Sequence, residues 1–364
     1  MRAPRLLFAM GLLSFLAAAR GDAQTLTVEG DHFAVDGQSR FLLFVSFYDA
    51  MRLAETGADL VADLSYLKDV GYDGIRIFPN WFKYCATGEE QFAGDALFAV
   101  DGRIQESRWA LFERVLDAAA EQRLVVDVSF TSETIAGDDE GGFQLGRSGG
   151  PTLASYRDQI VAVATRLRDH PRGGGYRHVF FDLQNEFDNN GVDLEDHIAV
   201  IADAVRAVDP LRVVTASTGS GSHVLAGQAT RQAGLHFAGV HPQRFARDWW
   251  TAAAIEGAIR QTRAAMGQPY LPVHLQEPRP FSTLCGKGAS SADPDVDHHA
   301  AAASHAKLYG AAAWTFHTRT TFDLAEGRYE TRIPGTAEET ALRNVVSAVA
   351  NQSTWGVTSA LRRP

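Results

Sequence analysis

Short apolar runs alternate with amphipathic stretches along most of the chain. The runs FLLFVSF (41–47), GIRIF (74–78), LVVDVSF (124–130) and HVFFDLQ (178–184) are rich in branched and aromatic residues and predict strands. RVVTAS (212–217), HFAGV (236–240), LPVHLQ (271–276) and AAAWTF (311–316) continue the series. Between them, residues 57–71, 106–122, 156–170 and 194–208 place apolar side chains at helical spacing. Gly71 reads as a C-cap and Asp209-Pro210 as a helix stop. Further helices are predicted over 250–266, 295–309 and 337–350, while the connection after 217 is left open. Ahead of the series, residues 25–38 alternate apolar and polar positions around Glu29-Gly30-Asp31, which predicts a β-hairpin.

A hairpin followed by eight strand–helix units implies a parallel sheet covered on its outside. Eight units favour a closed (β/α)8 TIM barrel with an N-terminal β-hairpin over an open sheet. No GxGxxG turn follows the first strand, and no GxxxxGK[ST] occurs, so the phosphate cradle of a nucleotide fold is missing. Neither a repeat nor a low-complexity linker interrupts residues 24–364, which read as one domain.

Residues 1–23 stand apart. Arg2 and Arg5 precede the 14-residue apolar run LLFAMGLLSFLAAA, and small residues follow at Ala17–Ala19 and Gly21-Asp22-Ala23. That is the pattern of a secretory signal peptide, and the run falls short of the ~20 residues that span a bilayer. A secreted or periplasmic protein is expected, with no membrane association after the signal is removed. The net charge of −10 argues against a nucleic-acid partner, which needs an excess of Lys and Arg. Cys85 and Cys285 are the two cysteines. They pair or remain two thiols, and spacing does not decide between these.

Two glutamates follow strand-like runs: Glu186 in VFFDLQNEFDNN and Glu277 in YLPVHLQEPRPF. In a parallel barrel, residues just past the strand C-termini face the pocket. That rule gathers Phe47, Tyr48, Arg76, Asn80, Trp81, Ser129, Asn185, Glu186, Ser217, His241, Gln243, Glu277, Trp314 and His317. Carboxylates, amides and flat aromatics suit a sugar, whose hydroxyls and apolar ring faces need such partners. His298, His299 and His305 lack a carboxylate-rich motif such as HExxH and read as surface histidines, so no metal or other cofactor is expected. Trp81, Phe82, Tyr84 and Trp249-Trp250 occupy predicted mouth loops, as stacking platforms or as packing beneath a loop.

With these residues in place, the chain resembles a clan A glycoside hydrolase, most like family 5, the cellulase and mannanase family. Asn185-Glu186 after the fourth strand matches that clan's acid/base motif, and Glu277 after the seventh matches its nucleophile. Arg76, His241 and Trp314 match an arginine, a histidine and a tryptophan on the second, sixth and eighth strands. The resemblance implies double displacement with retention on a β-mannan or β-glucan type substrate. In that scheme Glu277 attacks ionised beside Arg76, and Glu186 starts protonated with a raised pKa. Asn185 would hold the sugar's 2-hydroxyl, and Trp314 would floor the subsite of the reacting sugar. Arg76, Asn185, His241, Gln243, Trp314, Trp81 and Ser129 form the expected substrate-binding set of a monomeric enzyme. Two positions depart from the family pattern: Ser129 stands where a histidine is common, and Gln243 where a tyrosine often bonds the nucleophile. These departures keep open an alternative, a catalytically inactive barrel that binds carbohydrate.

Overall fold

The computed structural model describes residues 24–48, 50–57, 60–79, 84–86, 89–91, 97–99, 103–131, 152–171, 174–189, 194–281, 292–318, 335–353 and 355. The chain enters through a small antiparallel sheet of β1 (Leu26–Glu29), β2 (His32–Val35) and β3 (Gln38–Ser39). Gly30 turns β1 into β2 at φ 61°, and Asp36-Gly37 turns β2 into β3 at φ 52° and 73°. Both turns use the left-handed region that Gly and Asp tolerate.

The main sheet is parallel. It contains β4 (Leu42–Ser46), β5 (Gly74–Ile77), β8 (Val125–Ser129), β9 (Val179–Asp182), β10 (Val214–Thr215), β11 (Ser217–Thr218), β12 (Ala238–Val240), β13 (Val273–Leu275) and β14 (Ala313–Phe316). A separate hairpin, β6 (Tyr84–Ala86) and β7 (Glu89–Gln91), follows β5. The pairing order runs β10-β9-β8-β5-β4-β14-β13-β12-β11. Its two end members are halves of one strand flanking Ala216. The first half pairs with β9 and the second with β12, so the ring closes as eight barrel strands. Helices α1 (Ala50–Thr56), α2 (Leu60–Val70), α3 (Glu106–Glu121), α4 (Leu153–Arg168) and α5 (Val200–Val208) cover the outside. They are joined by α6 (His223–Gln232), α7 (Ala252–Met266), α8 (Val296–Leu308) and α9 (Ala337–Asn351). Gly71 ends α2 at φ 119°, as expected. Residues 194–199, expected to start an α-helix, form a wider π-helical turn before α5. No helix among the described residues is long and apolar enough to cross a membrane.

Alternation along the strands divides the side chains into two populations. Leu43, Val45, Val126, Val128, Val179, Phe181, Leu275, Trp314 and Phe316 belong to the large core shared with the helices. Leu42, Phe44, Val125, Phe180, Phe237 and Ala313 belong to a smaller apolar cluster inside the barrel. Phe33 of the hairpin completes that cluster, with its ring 5.0 Å from Phe237 and 6.4 Å from Phe180. The hairpin therefore plugs the N-terminal end. Two residues further along each strand the inward positions turn polar: Ser46, Arg76, Asp127, Asp182, Thr215, His274 and Thr315 are all buried. This gradient delivers charge to the C-terminal mouth, where a barrel of this kind carries its chemistry.

Candidate active site

Arg76 is the hub beneath the mouth. Its side chain is fully buried, yet every face of the guanidinium is occupied. Nε donates to Ser129 Oγ at 2.8 Å and lies 3.3 Å from Asp127 Oδ2. Nη2 donates to Asp182 Oδ2 at 3.1 Å and to Asn185 Oδ1 at 2.8 Å, and Nη1 donates to Glu277 Oε1. Such saturation is required, because an unpaired buried charge costs several kcal/mol. Burial and the neighbouring Asp182 charge push the Asp127 carboxyl up to about 7 against the pull of Arg76. Gln276 Nε2 donates to the same carboxyl at 2.9 Å. Gly239 makes room for that amide, since a Cβ there would lie 2.4 Å from Gln276 Oε1.

Glu277 follows β13 and is almost wholly buried. Arg76 binds one of its oxygens. Arg244 Nη1 donates to the other, Oε2, at 2.7 Å. His317 Nε2 lies 3.9 Å and His241 Nδ1 3.6 Å from that oxygen. Burial alone would raise this carboxyl, but His241, Arg76, His317 and Arg244 together hold it well below the usual range. An ionised Glu277 is what the sequence leads one to expect.

Glu186 sits in the turn after β9, and its φ of 47° is uncommon for a residue with a side chain. Its N–H donates to Ser217 Oγ at 3.2 Å. Its Oε1 accepts Arg244 Nη2 at 2.5 Å and faces His241 Nδ1 at 2.8 Å, while Oε2 accepts Asn189 Nδ2 at 3.1 Å. A carboxylate only accepts, so Nδ1 of this imidazole carries a proton toward Glu186. Gly219 admits Asn189, because a Cβ there would lie 2.3 Å from the Asn189 amide nitrogen. Burial pushes the Glu186 carboxyl up, yet the His241 bond and the charges of His241 and Arg244 bring it down to about 2. That is opposite to the raised value expected of a resting general acid. Arg244, absent from the sequence-derived set, is one of the reasons.

One ligand-type atom from each of Glu186, His241 and Glu277 lies within 4.8 Å of the other two. One oxygen of each carboxylate thus comes within 4.8 Å of the other at the mouth. A dication placed there would have to expel Arg244, whose guanidinium already bonds both acids.

Of the expected set, Arg76, Asn185, Glu186, His241 and Glu277 come together at the mouth. Ser129 does not reach it. Its hydroxyl is fully buried among Arg76, Asp127 and Asp182. Gln243, expected among the substrate-binding residues, is exposed beside Gly221. Trp314 faces the helical layer with no exposed surface, because Thr315 and His317 take the inward positions of its strand. It cannot floor a subsite. Trp81, Asn80, Phe82 and Cys285 lie outside the described residues. Trp249 is buried, its indole N–H on Asp293 Oδ2 at 2.8 Å, and Trp250 stacks on His298 at 4.3 Å. His299, expected at the surface, is fully buried between Phe281 and Trp249. Phe245, next to Arg244, is 67% exposed.

Sequence reasoning missed Arg244 because it lies in the loop four residues past β12. Its backbone is fixed there by Ser220 Oγ, which accepts the Arg244 N–H at 3.1 Å.

No protein-family model matches the chain, and no curated protein does. Solved structures do resemble it. A glycoside hydrolase family 5 mannosidase from Rhizomucor miehei superposes with a TM-score of 0.62 at 12% identity, over 91% of this chain and 97% of that one. GH5_18 from Streptomyces cattleya, solved with GlcNAc, gives 0.60 at 17% identity over 86% and 81%. A related structure of that enzyme holds Manβ1-4GlcNAc. The catalytic domain of a mannanase from Streptomyces sp. SirexAA-E gives 0.53 at 14% identity over 93% and 95%. The chain thus has the barrel fold of the family 5 glycoside hydrolases.

Proposed function

We propose that the protein is a secreted, retaining glycoside hydrolase that cleaves β-glycosidic bonds of the β-mannan or β-glucan type. The observation that carries this reading is the pair of carboxylates at the barrel mouth, with oxygens of Glu186 and Glu277 within 4.8 Å. Retaining enzymes need carboxyl groups about 5–5.5 Å apart, whereas inverting ones leave about 6.5–9.5 Å for a water. Glu277 is the nucleophile: ionised, and gripped through both oxygens by Arg76 and Arg244. Glu186 protonates the departing oxygen and then, as a base, activates the water that hydrolyses the glycosyl ester. Asn185, ordered by Arg76, adjoins the acid and is placed to meet a ring hydroxyl. The mannose-containing ligand and the mannosidase and mannanase names of the structural neighbours favour a mannoside within that class. Export rests on the pattern of residues 1–23.

The test is a panel of mannan, glucan and 4-nitrophenyl β-glycosides with product analysis. Glu277→Ala and Glu186→Gln are each expected to abolish turnover in folded protein, and an unchanged rate in either sinks the assignment. One observation favours a second reading, a carbohydrate-binding barrel without turnover: Glu186 rests in its charged form, with Arg244 closing the gap. Oligosaccharide affinity with no bond cleavage across the panel would establish that alternative.

A further inference from the structure

Arg244 joins the two carboxylates, but its two bonds have different consequences for a double displacement. The bond to Glu277 Oε2 complements the one from Arg76 to Oε1 and fixes an ionised nucleophile. The bond to Glu186 Oε1 works against the role of that residue. With Arg244 and His241 on Oε1 and Asn189 on Oε2, Glu186 is solvated as an anion. An acid about to donate must carry a proton on one of those oxygens. The space between the carboxylates is also where a reacting ring must sit, and the guanidinium crosses it. The Arg244 side chain is 10% exposed, against 16% for Glu186 and 3% for Glu277, so the guanidinium is mostly buried between the two acids.

We infer that Arg244 is a positioning residue with one permanent and one releasable contact. It stays on Glu277, and its contact with Glu186 is broken when a glycoside enters between the carboxylates. This rests on the reading of Glu277 as nucleophile and Glu186 as acid/base. On release, Glu186 Oε1 exchanges a guanidinium N–H for a proton taken from solvent. That proton then passes to the glycosidic oxygen as its bond to the anomeric carbon breaks and the bond from Glu277 forms. Water later gives a proton back to Glu186 and its oxygen to the sugar, which frees Glu277. Glu186 is thereby kept charged until a leaving group is in reach. The charged and titratable groups around it are His241, Arg244 and Glu277. Asp182, Asp127 and Arg76 lie beneath them, and His317 and Tyr48 stand beyond Glu277.

Two measurements test this. Carbon-13 NMR titration of the Glu186 carboxyl, without substrate, compares wild type, Arg244→Gln and Arg244→Lys. The Gln variant is expected to raise the titration midpoint by at least about one pH unit, a tenfold change in proton affinity, and the Lys variant by less. The pH profiles of kcat and kcat/KM on 4-nitrophenyl β-D-mannopyranoside report the bound and free enzyme respectively. In wild type the basic limb of kcat is expected at least one unit above that of kcat/KM, and Arg244→Gln brings the two together while lowering kcat. Coincident limbs in wild type, or a Glu186 midpoint that neither variant moves, overturn the inference. The NMR arm needs no turnover. An absence of hydrolysis with a shifted midpoint therefore refutes the glycosidase reading and with it the release step, while leaving the contact itself established. Arg244→Lys keeps one cation on Glu277, so the comparison survives if Arg244→Gln does not fold.

Discussion

The hydroxyl of Ser217 accepts the backbone N–H of Glu186 at 3.2 Å and holds that residue in the left-handed backbone region, at φ 47°. Such a conformation costs of order 1 kcal/mol for a residue with a side chain and persists only where its surroundings impose it. Ser217 imposes it from the neighbouring barrel strand, and its Oγ also lies 3.4 Å from Asn185 Oδ1. Ser217→Ala is expected to cost about 1–2 kcal/mol in urea unfolding, the value of a buried hydrogen bond lost on one side. The turn would relax and Glu186 would leave its place. We expect kcat to fall by about tenfold or more, because small misplacements of a reacting group are expensive.

Glu186 and Asp127 give stability opposite pH signatures. Against the upward push of burial, His241 and Arg244 lower Glu186 from 4.5 to about 2. Its contribution is therefore present above 4.5 and fades as pH falls toward 2. Burial raises Asp127 from 3.8 to about 7, so its contribution is present below 3.8 and lost as pH rises through 7. In unfolding series, the deficit of Glu186→Gln relative to wild type should be open at near-neutral pH and shrink below 4.5. The stability of Asp127→Asn relative to wild type should improve as pH rises through 7. Flat differences across both ranges would contradict the charge assignments.

Trp314 is a packing residue. Its indole lies 6.4 Å from the Phe316 ring and 6.5 Å from His299, on the side facing α8. Trp314→Ala is expected to cost about 3–5 kcal/mol, as for large buried aromatics elsewhere. Trp314→Phe should cost less, and KM in that folded variant should stay within about twofold of wild type. A large KM effect would mean that the indole reaches the substrate.

Phe245 is exposed beside Arg244, whose guanidinium lies 5.6 Å from its ring centroid. A ring that is 67% exposed has little stability to lose. Phe245→Ala should leave the melting temperature unchanged. KM for a mannooligosaccharide should rise several-fold, and KM for an aryl monoglycoside should rise less, as expected of an aromatic surface that meets a second sugar.

Much of the architecture was legible because eight short, mostly apolar runs are spaced by amphipathic stretches, and a barrel strand appears at each of those runs. Helix α6 was not. Its sequence HVLAGQATRQ places Gly227 mid-helix, where a Cβ would meet Thr262 O of α7 at 2.2 Å. Close helix packing is thus achieved with a residue that weakens the helical signal. Within the site, Arg76, Glu186, His241 and Glu277 were legible from their positions at strand ends. Trp314 was misplaced because strand-end position was read without following the two-residue alternation through it; Ser129 keeps the inward register of Val125 and Asp127, but its hydroxyl is taken up by Arg76, Asp127 and Asp182 beneath the mouth. In β14 the alternation sends Ala313, Thr315 and His317 inward and Trp314 outward. Arg244 acts from a loop, where no period marks which side chain turns back to the mouth. The resting charge of Glu186 rests first on His241, and Arg244 adds to it from that unmarked loop.

The central claim is that Glu277 becomes covalently bonded to the sugar while Glu186 serves it as acid and base. Mass-spectrometric peptide mapping after incubation with activated 2-deoxy-2-fluoro mannosyl and glucosyl fluorides, which slow hydrolysis of a glycosyl ester, addresses this directly. The account predicts a single glycosyl group on the peptide containing Glu277, and none in Glu277→Ala. A label on another residue, or folded wild-type protein that takes up no label from either reagent, would contradict it.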